Sequence, residues 1–159
     1  MTSSKVVVGV NDSATGRAAL LWASIWARVN GADLRAVHVR TRRIAALAGR
    51  EGQVASVSTE ASAELEKQEI TELFSRLPPA PSWTLEFVEG AVADKLVECS
   101  VGADLLVTGI RHPATGEVGC SIGRYCIEQA SCPVVTVPVA QHKQSVRDQR
   151  SAPLPVNGC

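Results

Sequence analysis

Five short apolar runs alternate along this chain with four segments of helical spacing, and that alternation constrains the fold more than any other feature. The first run, Lys5 to Val10, is a β-branched stretch of the kind buried on both faces of a parallel sheet. Asn11, Asp12 and Ser13 then supply N-cap residues. Ala18, Leu21, Trp22, Ile25 and Val29 recur at helical spacing, and Asn30-Gly31 provides a stop. Ala32 to Val39 reads as a second strand and closes a βαβ unit, whose crossover is right-handed. Trp22 and Trp26, one turn apart, are expected to pack in or beneath the first helix rather than to present a ligand-stacking surface.

The stretch from Arg28 to Arg50 is rich in arginine and that from Glu51 to Arg76 in glutamate. This reads as a solvated connection followed by a surface helix whose acids lie near its positive end, in preference to a binding patch of Arg40, Arg42 and Arg43. Ile70, Leu73, Phe74 and Leu77 form the apolar stripe of that helix, and Pro78-Pro79-Ala80-Pro81 ends it. Trp83 to Val88 reads as strand three, and Val92 to Val101 as helix three with Val92, Leu96 and Val97 inward. Asp104 to Gly109 reads as strand four. After a polar loop, Arg111 to Val118, come a helix from Gly119 to Ser131 and a fifth strand, Val134 to Val137. The order predicts an α/β fold of Rossmann-like type: one open, five-stranded parallel sheet with helices on both faces. Residues 1–139 are expected to form the domain. Residues 140–159, polar, Pro-bearing and without period, are expected to be a disordered tail.

A length of 159 residues leaves room for one such domain, and 45% hydrophobic with 20% charged residues is ordinary globular composition. Sixteen basic residues balance sixteen acidic ones, so no net field draws in nucleic acid or an anionic membrane, and neither is an expected partner. No apolar stretch reaches the ~20 residues that span a bilayer. The N-terminus lacks the pattern of a secretory signal, and the five cysteines contain no CxxC pair. These features predict a cytoplasmic protein with reduced thiols.

In such a sheet, ligands occupy the crevice outside the carboxyl ends of the strands, where strand order reverses beside strand one. Two loops dominate that edge, Asn11 to Ser13 and Gly109 to Ser121. The second holds Gly109, Gly116 and Gly119 and leads into a helix whose free N–H groups favour an anion such as phosphate. The chain has no GxxxxGK(S/T) and no GxGxxG after strand one, which argues against a P-loop ATPase and a dinucleotide enzyme. Gly119-Cys120-Ser121-Ile122-Gly123 satisfies GxSxG. A polar loop rather than a strand precedes it, however, and His142 comes before Asp148, so Ser121 reads as a helix-start hydroxyl and not a nucleophile. No catalytic residue is expected. Cys120, Cys126 and Cys132 lie six apart and His38, His112 and His142 are scattered, so no metal site is expected either. Cys120, at a helix start, is the one candidate for redox sensing.

Several motifs in sequence carry a family resemblance: Val7-Val8-Gly9-Val10 ahead of Ser13, Ala18-Ala19-Leu20 and Trp22; then Glu89-Gly90, followed by Ala103-Asp104 through Thr108-Gly109. Ala130-Ser131-Cys132-Pro133-Val134 leading to Val137-Pro138 completes the series. In order and spacing these residues, over roughly Lys5 to Val139, resemble the universal stress protein family of small nucleotide-binding-like α/β domains. The resemblance implies the strand order 3-2-1-4-5 and a homodimer paired through the fifth strand. It also implies a stress-response or regulatory role with a regulatory protein as a further partner. The family has an ATP-binding branch, and what it implies for that branch is an Asp after strand one and a loop of Gly, two residues, Gly, nine residues, then Gly and Ser or Thr.

This chain departs from that pattern. Asn11 stands at the Asp, His112 at the second glycine and Cys120 at the third, and only seven residues separate His112 from Cys120. A side chain where backbone must approach phosphate, in a shortened loop, reshapes the cradle. The reading is therefore a non-catalytic module with a degenerate nucleotide pocket and no cofactor expected. The alternative is an ATP-binding member acting as a nucleotide-dependent switch or a slow ATPase. In that case the resemblance implies Val10 and Asn11 at base and ribose, His38 beside the base through its backbone, and Gly109, Arg111, Gly119, Ser121 and Ile122 around the phosphates.

Overall fold

The computed structural model describes residues 3–41, 60–110 and 122–139. Strands β1 (Lys5–Gly9), β2 (Asp33–Arg40), β3 (Thr84–Glu89), β4 (Leu105–Ile110) and β5 (Val134–Pro138) alternate with helices α1 (Ala14–Asn30), α2 (Glu60–Ser75), α3 (Val92–Cys99) and α4 (Ile122–Gln129). All strand pairs are parallel, in the order β3-β2-β1-β4-β5. The expected architecture and strand order are therefore present. The tail expected over 140–159, the polar loop and the calls on Arg42, Arg43, His112, Cys120 and His142 lie outside the described residues.

Alternation along the strands divides the core into two layers. Val6, Val8 and Val10 of the first strand segment join Leu34, Ala36, Leu105 and Val107 under α1 and α2, where Ile70 is fully buried and Leu73, Phe74 and Leu77 pack beside it. Val7, Val37, Val39 and Leu106 face the other way, onto Leu96 of α3 and Cys126 of α4, with Val92, Val97 and Cys132 at the margin. Each buried valine or leucine contributes about 1.5–3 kcal/mol relative to exposure, which is why β1, the central strand, is apolar on both faces.

Helix α1 starts where Ser13, extended at φ −74° and ψ 157°, accepts a hydrogen bond from the Gly16 N–H through its Oγ at 3.1 Å. It stops at Gly31, which adopts the left-handed conformation at φ 60°, while the Ala32 N–H closes onto the Ala27 carbonyl at 2.8 Å. That closure uses Ala32, so β2 begins at Asp33, one residue later than the apolar pattern predicts.

The face α1 turns inward corrects the sequence reading. Leu21, Ile25 and Val29 are exposed and Trp22 is 36% exposed, whereas the buried positions are Gly16, Ala19, Leu20, Ala23, Ser24 and Ala27. Trp26 is partly buried against the core. Two periodic apolar stripes coexist on this helix, and the one built of small residues wins because it lets the helix axis approach the sheet closely. Other boundaries shift slightly. α3 ends at Cys99 rather than Val101, β4 runs to Ile110 because Asp104 instead caps the sheet edge by accepting from the Lys5 N–H at 2.8 Å, and α4 ends at Gln129.

Candidate functional site

The strand order reverses between β1 and β4, and the crevice at their carboxyl ends is bounded by the turn after β1, the start of α4 and the α3 side of the sheet. Of the residues singled out from the sequence, Val10, Asn11, Gly109 and Ile122 line it together. Arg111, Gly119 and Ser121 lie outside the described residues. His38 is not among the lining residues. Its neighbours Val37 and Val39 are, because alternation sends their side chains to the α3 face and the imidazole to the α1–α2 face.

The turn is held by its own polar groups. Asn11 Oδ1 accepts from the Ser13 backbone N–H at 3.2 Å and from Ser13 Oγ at 2.6 Å, and Ser13 Oγ lies 2.9 Å from Thr15 Oγ1. The Asn11 acceptor is thus committed to an Asx turn, leaving its amide NH2, a donor only, for anything else. Asp12 pairs with Arg17 on the outer side of the turn, in the open.

Two glycines permit the crevice to exist in this form. A β-carbon on Gly16 would stand 2.0 Å from Asn11 Oδ1 and 2.6 Å from the Asn11 carbonyl oxygen, so the first turn of α1 presses directly on the β1 turn. A β-carbon on Gly109 would meet the Thr15 carbonyl oxygen at 2.6 Å. At both positions backbone stands where a side chain would otherwise go.

The walls are apolar. Val37, Val39, Val92 and Leu96 close the α3 side, and a Leu96 methyl lies 2.8 Å from where Gly9 would carry a β-carbon. Thr108 is buried and spends its hydroxyl on the Gly109 carbonyl at 3.0 Å. Among the described residues lining the crevice, none is charged. Sequence reasoning missed the valines, Leu96, Thr15 and Thr108. The carboxyl ends of β2 and β4 could have been recognised as crevice-forming from the switch-point rule, but no sequence signal marks which strand face looks into it.

Away from the crevice, burial pushes the Cys126 and Cys99 thiols above their ordinary range. No three His, Cys, Asp or Glu side chains converge as a metal site among the described residues, and no helix there is long and apolar enough to cross a membrane.

A family model described as the universal stress protein family matches residues 2–138. No curated protein sequence matches. Among solved structures, a universal stress protein in complex with cAMP aligns with a TM-score of 0.64 at 22% identity, over 88% of this chain and 100% of its own. A universal stress protein family member from Burkholderia pseudomallei gives 0.63 at 23% identity, over 86% and 96% of the two chains. The universal stress protein from Archaeoglobus fulgidus in complex with dAMP gives 0.56 at 20%, over 86% and 99%. At these identities the likeness is one of fold.

Proposed function

Since the chain belongs to the universal stress protein family, we propose that it is a non-catalytic regulatory module of the cytoplasm, a homodimer whose crevice is a degenerate nucleotide pocket. The observation that carries this reading is the chemistry of the crevice: valine and leucine walls, a Thr108 hydroxyl already used, an Asn11 oxygen already used, and no charged side chain among its described lining residues. Such a surface suits a flat apolar body and offers little to a triphosphate, whose charge asks for cations or a row of free N–H groups. No carboxylate lines the described crevice to orient a water or hold a metal ion, which supports the non-catalytic part of the reading.

Homodimerisation through β5 is supported by its place in the sheet. β5 is terminal in the strand order, so one edge of its backbone has no strand beside it among the described residues, and an identical strand related by a twofold axis satisfies it.

A second reading, nucleotide binding at the same crevice, is favoured by the solved relatives in complex with cAMP and dAMP, whose fold this chain shares. Calorimetric titration with ATP and AMP separates the two. The degenerate-pocket reading expects no saturable heat from ATP below the millimolar range. Micromolar ATP affinity that is lost in Gly109→Val while the variant keeps its circular dichroism spectrum overturns it. Light scattering that gives the mass of a single chain removes the homodimer.

A further inference from the structure

On the opposite face of the sheet from the crevice, between α2 and the ends of β2 and β3, lies a cavity of about 420 Å³. Its floor is Phe87 and Val88, and His38 stands at its inner end. The imidazole is 4% exposed. Its Nδ1 lies 2.8 Å from the Val10 carbonyl oxygen, which can only accept, so Nδ1 carries a hydrogen. In the neutral ring that leaves a lone pair on Nε2. This atom faces Glu66 Oε1 at 3.3 Å, yet it makes no hydrogen bond with any described group. A buried polar atom without a partner is uncommon, and here it stands beside a carboxylate oxygen, so two acceptors confront each other. A donor between them, or a cation, relieves both.

The rest of the cavity favours positive charge. Glu60, Glu64, Glu66 and Glu89 line it against Arg40 and Lys67, and Arg40 stands 3.9 Å from Glu89. The chain's own Lys67 places its ammonium 5.5 Å from the Phe87 ring centroid, showing where a cation is already accepted. The His38 ring meets Phe87 edge to face at 5.8 Å, which holds the imidazole in place.

We infer that this cavity is a binding site for a small primary amine, protonated at neutral pH. Its N–H groups donate to His38 Nε2 and Glu66, and its aliphatic body lies against Phe87 and Val88. The volume is that of a small organic molecule rather than of a single ion, and the donor requirement at its inner end and the acidic excess at its rim both select an ammonium over an alcohol or an acid. The site uses none of the crevice residues except the Val10 carbonyl, so it stands or falls independently of nucleotide binding.

The test is a titration of the full chain with n-butylamine at neutral pH, followed by NMR of the His38 and Phe87 ring protons, with 1-butanol as the uncharged control. Saturable shifts with a dissociation constant in the millimolar range are expected. The affinity should be weakened about tenfold or more in Glu66→Gln, a half-exposed position that leaves the fold intact, and retained in Glu72→Gln elsewhere on α2. Equal shifts with 1-butanol, unchanged affinity in Glu66→Gln, or no saturable shift overturn the assignment. So does Zn2+ that moves the same signals at micromolar concentration when butylamine does not.

Discussion

The carbonyl oxygen of Thr15 lies 2.6 Å from the point where Gly109 would carry a β-carbon, so the first turn of α1 rests directly on the backbone of β4. Backbone cannot swing aside as a long side chain can. Gly109→Ala is therefore expected to destabilise the protein by about 1–3 kcal/mol, the usual cost of forcing atoms into a filled space. In urea unfolding the midpoint should fall with the slope unchanged. An unchanged midpoint would show that the two elements separate freely.

The two faces of α1 make opposite predictions. Leu21→Gln and Ile25→Gln remove exposed side chains and should alter stability by no more than about 0.5 kcal/mol, as for ordinary surface positions. Ala23→Leu, on the fully buried face, should cost about 1–3 kcal/mol. Denaturant unfolding of the three variants checks both statements, and a large loss in the Gln variants would mean that this stripe is covered in solution.

This helix also shows how far the sequence was legible. The strands were readable because β-branched runs with buried neighbours admit few other fates, and the order of elements led to the sheet. The facing of α1 was not, since both of its stripes repeat at helical spacing and only contact with the sheet selects Ala19, Ala23 and Ala27 over Leu21 and Ile25. For the crevice, Val10, Asn11, Gly109 and Ile122 follow from their places at strand ends and a helix start. Val39, Leu96 and Thr108 do not, because which side of the pleat a residue occupies depends on register with a neighbouring strand.

Acid should loosen the outer sheet. Arg35 donates to both oxygens of Glu86, at 2.8 and 2.7 Å, and these hydrogen bonds hold the Glu86 carboxyl below its ordinary range against a smaller opposing effect of burial. A carboxyl with a depressed folded value contributes stability that is fully present above the ordinary carboxylate range and is lost as pH falls through the depressed value. Thermal melts between pH 7 and 2 should show a shallower acid decline in Glu86→Gln than in the parent. Both side chains are roughly two-fifths exposed, so the difference should be small and should shrink in high salt. Identical acid slopes would contradict the pairing.

Burial raises the Cys126 thiol above its usual range, and its side chain is enclosed between α4 and the sheet. The thiolate is the reactive form, so a disulfide reagent at pH 8 should modify Cys126 only at the rate of unfolding and Cys132, at the margin of the same cluster, sooner. Peptide mapping after timed labelling reads the order, and Cys126 labelled ahead of Cys132 would contradict the packing of α4.

The account turns on a crevice whose polar groups are already engaged and whose walls are apolar. The most direct measurement is a 15N-resolved NMR titration with ATP, following the amides of Asn11, Thr15 and Gly109. The account predicts no saturable shift at these amides below the millimolar range. Saturation at micromolar ATP, centred on those three residues, would contradict it.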